Sequence, residues 1–141
     1  MTPHTSWVDD AGAALVTDLY ELTMAAAYLD AGIHDTAATF ELSVRSLPEQ
    51  RNFLVAAGIE DAIHYLEQLR FDRESIGYLR SLRRFDEPFL EFLGDLRFTG
   101  DVRAVREGTI VFGQEPLLQV TAPLVEAQII AVALAFKVTQ V

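Results

Sequence analysis

The amino-acid sequence predicts a single α+β domain in which short β-hairpins and helices alternate. The 141-residue chain is half apolar and 23% charged, a balance typical of folded proteins rather than of disordered segments. Its length suits one hydrophobic core, and no stretch rich in glycine, serine or proline divides it. From residue 19 onward, segments with helical periodicity alternate with segments rich in β-forming residues, which indicates mixed secondary structure.

Five segments have the apolar spacing of helices. They cover residues 19–31, 58–69, 73–82, 87–94 and a stretch that begins after Pro123. Before the first, Asp18 stands three residues ahead of Glu21, which predicts a capping box. The second is predicted to bury one apolar stripe, formed by Ile59, Ile63, Leu66 and Leu69. Strands are predicted between the helices, at residues 37–44, 52–56, 101–105, 109–112 and 117–121.

The charge is strongly acidic and unevenly distributed. Lys and Arg number 11 against 21 Asp and Glu, for a net charge of −10, which argues against binding to nucleic acid or to an anionic membrane. Residues 1–44 carry seven acids and no Lys or Arg, whereas residues 70–106 carry eight arginines. Two solvated faces are the favoured interpretation. The alternative is that one face meets the other in a partner copy.

The sequence also bears on compartment. It contains no cysteine, so disulfides, thiolate metal sites and a cysteine nucleophile are excluded. The first ten residues lack the basic start and apolar run of a signal peptide. The longest uncharged apolar stretch, residues 129–136, is far shorter than the roughly 20 residues of a spanning helix. We therefore expect a cytoplasmic protein.

The residues alone show no catalytic constellation. Glycine-rich phosphate-binding motifs and serine nucleophile motifs are absent. The histidines lie too far apart in the sequence to suggest a metal site: they are His4, His34 and His64. Three acids lie in or beside strands, namely Glu41, Glu107 and Glu115. Solvated or capping roles are favoured for these acids over a general acid–base pair.

Tyr20 is unusual because it lies at a helix start, beside Asp18, in a segment without Lys or Arg. A tyrosine in that position can present its ring to a flat ligand. From the residues alone, packing of the ring in the core is the favoured interpretation.

An ordered series of motifs resembles the nicotinate phosphoribosyltransferase family. The run LVTDLYELTM at residues 15–24 is similar to the opening motif of that family. Similar blocks follow in order: FE at 40–41, Arg45 with LP at 47–48, FLVAAGIE at 53–60, FTGDV at 98–102, EGTIVF at 107–112, EPLL at 115–118 and APLVEAQ at 122–128. The resemblance implies the N-terminal α/β domain of a type II phosphoribosyltransferase, with the family's α/β barrel lying downstream.

The resemblance further implies an enzyme of NAD salvage. The family joins nicotinate to the ribosyl-5-phosphate of phosphoribosyl pyrophosphate, and it couples ATP hydrolysis to turnover through a phosphorylated histidine, with Mg²⁺ accompanying the phosphates. Tyr20 is then expected to stack on the pyridine ring and Asp18 to position the surroundings, which reverses the preference for core packing. A homodimer with shared active sites is implied. No catalytic or metal-binding residue of the family is identified in this chain.

The resemblance also suggests a division of the chain. We expect a flexible N-terminus over residues 1–14, the N-terminal α/β domain over 15–123, and the start of a connecting helix over 124–141. After Gln128 the sequence departs from the family pattern, so we expect a truncation, a frameshift or a gene fragment. The last helix is apolar nearly all round, and such a helix needs partners on every side. We therefore expect an exposed apolar patch near the C-terminus, and hence self-association or poor solubility.

Two functional hypotheses follow from the sequence. In the first, the chain is the N-terminal part of a nicotinate phosphoribosyltransferase and is inactive without the barrel. In the second, it is a non-enzymatic remnant or interaction module that pairs with a full-length homologue through its acidic residues 1–44. A closely related nicotinamide or quinolinate enzyme is a third possibility, but the residues of the TDLYELTM motif fit a nicotinate enzyme better.

Overall fold

The computed structural model describes residues 10–140. Within them a 3-10 helix (Asp10–Leu15) is followed in chain order by α1 (Leu19–Asp30), β1 (Ala37–Ser43), β2 (Leu54–Ala57), α2 (Ile59–Gln68), α3 (Arg73–Ser81), α4 (Glu87–Asp95), β3 (Asp101–Ala104), β4 (Ile110–Val111), β5 (Pro116–Pro123), α5 (Leu124–Lys137) and β6 (Thr139–Gln140). Every helix and strand predicted from the sequence is present, and the α+β class is confirmed. Strand β6 was not predicted, because two residues are too few to show a period.

The main sheet is antiparallel, with β5 at its centre in the order β1-β5-β3. One face packs against α5: Phe40 pairs with Val120 across β1 and β5, and both lie against apolar residues of that helix. The opposite face is polar, since Thr39 pairs with Thr121 and their exposed hydroxyl oxygens are 2.9 Å apart. This alternation is what an antiparallel sheet with one covered face requires.

A close approach joins β3 to β5 at Gly100. A Cβ atom at this glycine would lie 2.5 Å from the Cβ of Ala122 and 2.6 Å from the carbonyl oxygen of Thr121. Real Cβ atoms do not approach neighbours so closely, because such contacts lie deep in the repulsive range of packed interiors. Glycine is therefore required for β3 to begin at its observed distance from the central strand.

A smaller sheet has the order β4-β2-β6, with all pairs antiparallel. Gly58 follows β2 with a φ of 86°, a left-handed conformation that glycine adopts at no steric cost. This turn directs the chain from β2 into α2. The next two helices begin at side-chain caps: Asp72 accepts a hydrogen bond from the Ser75 N–H at 2.7 Å, and Asp86 accepts one from the Phe89 N–H at 3.1 Å. Both are standard N-cap contacts.

Three of the four residues in the predicted stripe of α2 are buried, and two further residues join them. Ile59, Leu66 and Leu69 are buried as predicted, but Ile63 is 39% exposed. Ala62 and Tyr65 are buried instead. At 3.6 residues per turn these positions lie on one face with Leu66, and Ile63 lies at the edge of that face.

The apolar patch predicted near the C-terminus does not lie on residues 125–130 of α5. Its residues from Val125 to Ile130 are all buried, because the helix packs against β1 and β5 and also contacts α1 and α2. Together these neighbours cover its several apolar sides, so an all-round apolar helix is at the centre of this core. The large apolar residues that are exposed lie elsewhere, for example Phe53, Ile110 and Phe112, which are 49%, 56% and 52% exposed.

The divisions expected from the sequence can be followed only in part. Residues 10–14, within the segment expected to be a flexible N-terminus, belong to the 3-10 helix, where Ala14 is buried. The rest of that segment, including His4, lies outside the described residues. At the other end α5 shares the core of the preceding strands.

Candidate functional site

The beginning of α1 is shaped by a change of backbone direction at Asp18. This residue has φ −85° and ψ 147°, the extended conformation of an N-cap. Within the described residues its side chain makes no capping hydrogen bond, and it is exposed. The predicted capping box with Glu21 is therefore wrong.

Tyr20 lies in the first turn of α1 and projects away from the core. Its side chain is 56% exposed, and its neighbours Leu19 and Met24 are 43% and 37% exposed. The packing of Tyr20 in the core, favoured from the residues alone, is therefore wrong. The structure leaves an exposed phenol ring on a surface with apolar neighbours, the kind of surface on which a planar ligand can stack.

Glu21 is buried instead of reaching back to the cap, with only 1% exposure. Its Oε2 accepts a hydrogen bond of 2.6 Å from the Thr17 hydroxyl, and its Oε1 accepts a longer one, 3.4 Å, from the Tyr20 hydroxyl. Burial raises the pKa of the Glu21 carboxyl above its ordinary value, and the two hydroxyl donors oppose that rise. The sequence offered one signal of this contact, the i, i+4 spacing of Thr17 and Glu21.

A second tyrosine lies near the buried carboxyl. Tyr65 of α2 is 3% exposed. Burial, followed by the negative charge of Glu21, raises the pKa of its phenol. The charge of Glu21 therefore acts on a buried phenol as well as on the exposed one of Tyr20.

An open cleft lies beside the start of α1. It measures about 250 Å³ and runs between the beginning of α1 and the end of α3. Its lining is mostly apolar, with Tyr78 and Arg84 as its main polar groups, and it includes Leu15, Thr17, Leu19 and Leu82. Tyr20 does not line this cleft, so the ring and the cleft form two neighbouring features of the same end of α1.

The three strand-associated acids hold structure together rather than converging on one point. Glu107 accepts hydrogen bonds from the N–H groups of Gly58 and Ile59 at 2.8 and 2.9 Å, and so caps α2. Glu115 accepts one from the Phe112 N–H at 2.8 Å. Glu41 accepts one from the Gln119 amide at 2.9 Å. The predicted structural roles are confirmed.

The described histidines do not form a metal site. His64 is exposed on α2. His34 lies in the turn after α1, with its ring edge-to-face on Phe92 at a centroid distance of 5.6 Å. Among residues 10–140, no group of three or more His, Asp or Glu side chains could hold a metal ion.

Known structures resemble this fold. The crystal structure of nicotinate-nucleotide pyrophosphorylase from Pyrococcus furiosus matches 98% of the chain with a TM-score of 0.64 at 20% identity, which shows the fold alone. The crystal structure of human nicotinic acid phosphoribosyltransferase matches 86% of the chain with a TM-score of 0.78 at 38% identity. The architecture is therefore that of the N-terminal domain of the type II phosphoribosyltransferases.

Sequence similarity then identifies the particular family. Residues 15–138 match the model of the nicotinate phosphoribosyltransferase N-terminal domain. Nicotinate phosphoribosyltransferase pncB2 of Mycobacterium tuberculosis is 48% identical over 117 residues, which are 83% of this chain and 25% of that relative. The chain belongs to the nicotinate phosphoribosyltransferase family. It spans about a quarter of the length of the relatives it matches.

Proposed function

We propose that this chain supplies the base-stacking part of a nicotinate phosphoribosyltransferase. The reaction would join nicotinate to the ribosyl-5-phosphate of phosphoribosyl pyrophosphate, with coupled ATP hydrolysis, in NAD salvage. It combines glycosyl transfer with the energetics of a ligase. The single observation that carries the proposal is the exposed ring of Tyr20, held in the first turn of α1 within the segment that matches the family.

Tyr20 suits the recognition of a pyridine ring. An electron-poor heterocycle stacks in an offset arrangement on a phenol, and aromatic pairs contribute about 0.5–1.5 kcal/mol beyond the area they bury. Leu19 and Met24 extend the exposed apolar surface on either side. Asp18 has an exposed carboxylate two residues before the ring, and we assign it a role in positioning the surroundings of the base.

The described residues do not account for the rest of the chemistry. No acidic or histidine cluster among them fits a metal ion, so we assign no step of this chain to Mg²⁺ or ATP. We propose that their sites, like the groups that stabilise the departing pyrophosphate, are contributed by the remainder of the family enzyme. The isolated 141-residue chain is accordingly expected to show no turnover.

Assembly and location remain part of the proposal. A homodimer with shared active sites would let Tyr20 of one subunit reach the base bound by its partner. Within the described residues no helix is long and apolar enough to cross a membrane, and the net charge of −10 disfavours nucleic acid as a partner. We expect the enzyme to act in the cytoplasm. The alternative of a non-enzymatic remnant is not favoured, because the relatives it matches are enzymes.

The proposal is tested on the polypeptide that the complete reading frame containing this sequence encodes. We expect pyrophosphate release that requires nicotinate and is stimulated by ATP. Tyr20→Ala should raise the KM for nicotinate about 2- to 13-fold, the range that corresponds to the stacking energy. The KM of Tyr20→Phe should lie between the values of the wild type and of Tyr20→Ala. Ile63→Ala, an exposed change on α2, serves as the control. A wild-type protein with no nicotinate-dependent release would refute the proposed function.

A further inference from the structure

A buried acid lies directly beside the exposed ring at the start of α1. Glu21 is 1% exposed, although a carboxylate is among the groups least often buried without a specific partner. An ordinary amphipathic helix would place an apolar residue here. Packing alone therefore does not account for an acid at this position, and its polar contacts must.

The two carboxyl oxygens of Glu21 accept hydrogen bonds from two different hydroxyl groups at the start of α1. Thr17, which precedes the N-cap, donates to Oε2 at 2.6 Å, and Tyr20, in the first turn, donates to Oε1 at 3.4 Å. The carboxyl thus joins the incoming chain to the tip of the exposed ring. A ring more than half exposed would otherwise exchange among its side-chain rotamers in solvent.

We propose that Glu21 is a positioning residue that fixes the ring of Tyr20 through the hydrogen-bond chain Thr17–Glu21–Tyr20, so that the ring is ordered before a pyridine base arrives. The inference rests on the proposed function, since it names what orients the stacking ring. Preorganisation of this kind lowers the entropy lost on binding. Glu21 does not itself reach the base, because its side chain is buried.

Among the described residues, the ionisable groups whose charge interacts with Glu21 do not supply a positive charge. Asp18, on the same segment, and Tyr65, from α2, are the further ionisable groups whose charge interacts with Glu21. Neither is a cation, so Glu21 does not act as one half of an ion pair with them. Its hydroxyl partners Thr17 and Tyr20 are the contacts that orient it.

The first test measures ring order in the 141-residue chain by NMR, with no ligand present. In Glu21→Leu the Tyr20 ring should lose its defined rotamer, while the ring of Tyr28, half-buried on the same helix, keeps its signals and reports that α1 is intact. Glu21→Gln retains an amide oxygen that can accept a hydrogen bond from one hydroxyl, so this variant should keep the Tyr20 ring ordered. An unchanged Tyr20 ring in Glu21→Leu overturns the inference.

The second test measures kinetics on the product of the complete reading frame. Glu21→Leu should raise the KM for nicotinate about 3- to 10-fold with a smaller change in kcat, and Glu21→Gln should rescue it. In a double-mutant cycle the effects of Glu21→Leu and Tyr20→Phe should not add, because both break the same contact. Additive effects overturn the inference. If the wild-type protein has no activity, the proposed function is overturned, and the NMR measurement of ring order then decides whether Glu21 fixes Tyr20.

Discussion

Replacing Glu107 should uncap α2, a helix whose N-cap residue lies 49 residues earlier in the sequence. The Glu107 carboxylate accepts hydrogen bonds from the N–H groups of Gly58, Ile59 and Glu60 at 2.8, 2.9 and 3.4 Å. Gly58 occupies the N-cap of α2 and has no side chain to satisfy these donors. The remote acid therefore does what an N-cap side chain does in other helices.

The expected cost follows from these contacts. Loss of an N-cap side chain costs about 0.5–2 kcal/mol, and removing a negative charge from a helix N-terminus adds about 0.3–1 kcal/mol at low salt. Water reaches this exposed site and replaces part of the lost bonding. We therefore expect Glu107→Ala to lower the free energy of unfolding by about 1–2 kcal/mol, which for a domain of this size lowers Tm by about 3–8 °C.

Urea unfolding followed by circular dichroism measures this change, with parallel thermal scans. Glu107→Gln keeps one carbonyl oxygen but loses the charge, so its stability should fall between the wild type and Glu107→Ala. Glu67→Ala is the matched control, because it removes an exposed acid from α2 away from the N-terminus and should shift stability by less than about 0.5 kcal/mol. If Glu107→Ala and Glu67→Ala are equally stable, the capping argument is refuted.

Two further outcomes are expected, one for packing and one for pH. Gly100→Ala should lower the free energy of unfolding by about 1–3 kcal/mol through overpacking. Gly94→Ala should be neutral or stabilising, because a Cβ at Gly94 meets nothing within 4 Å. Equal denaturation midpoints for the two variants would contradict the close approach at Gly100. Because burial raises the folded-state pKa of Glu21, the folded state holds this proton more tightly than the unfolded state does. Stability should therefore fall as pH rises from the unfolded-state pKa through the raised value, and a Glu21→Gln variant with the same pH dependence as the wild type would contradict this.

The elements of the fold could be predicted because their signals are local. Apolar periodicity and the β-forming runs act within a few residues, and each predicted helix and strand is present. The exposed position of Tyr20 was predicted only through the family resemblance, because the residues alone favoured packing of the ring in the core. Its role in stacking stays a prediction.

Contacts between distant segments could not be predicted in the same way. The side chain of Glu21 is buried and accepts a hydrogen bond from the Thr17 hydroxyl, so it does not reach back to the N-cap as the spacing of Asp18 and Glu21 predicted. The helix α5 carries no exposed patch along residues 125–130, because β1, β5, α1 and α2 meet around it.

Local side-chain patterns indicated all five α-helices and five of the six strands, which residues carry charge, and which family the motifs resemble. These properties depend on side chains within a few positions of one another. The packing of the chain adds that Glu107 caps α2, that Glu21 is buried, and that β3 approaches β5 at a glycine. Each depends on two segments brought together by burial of the common core, and the free energy of such a contact depends on distances that no local pattern records.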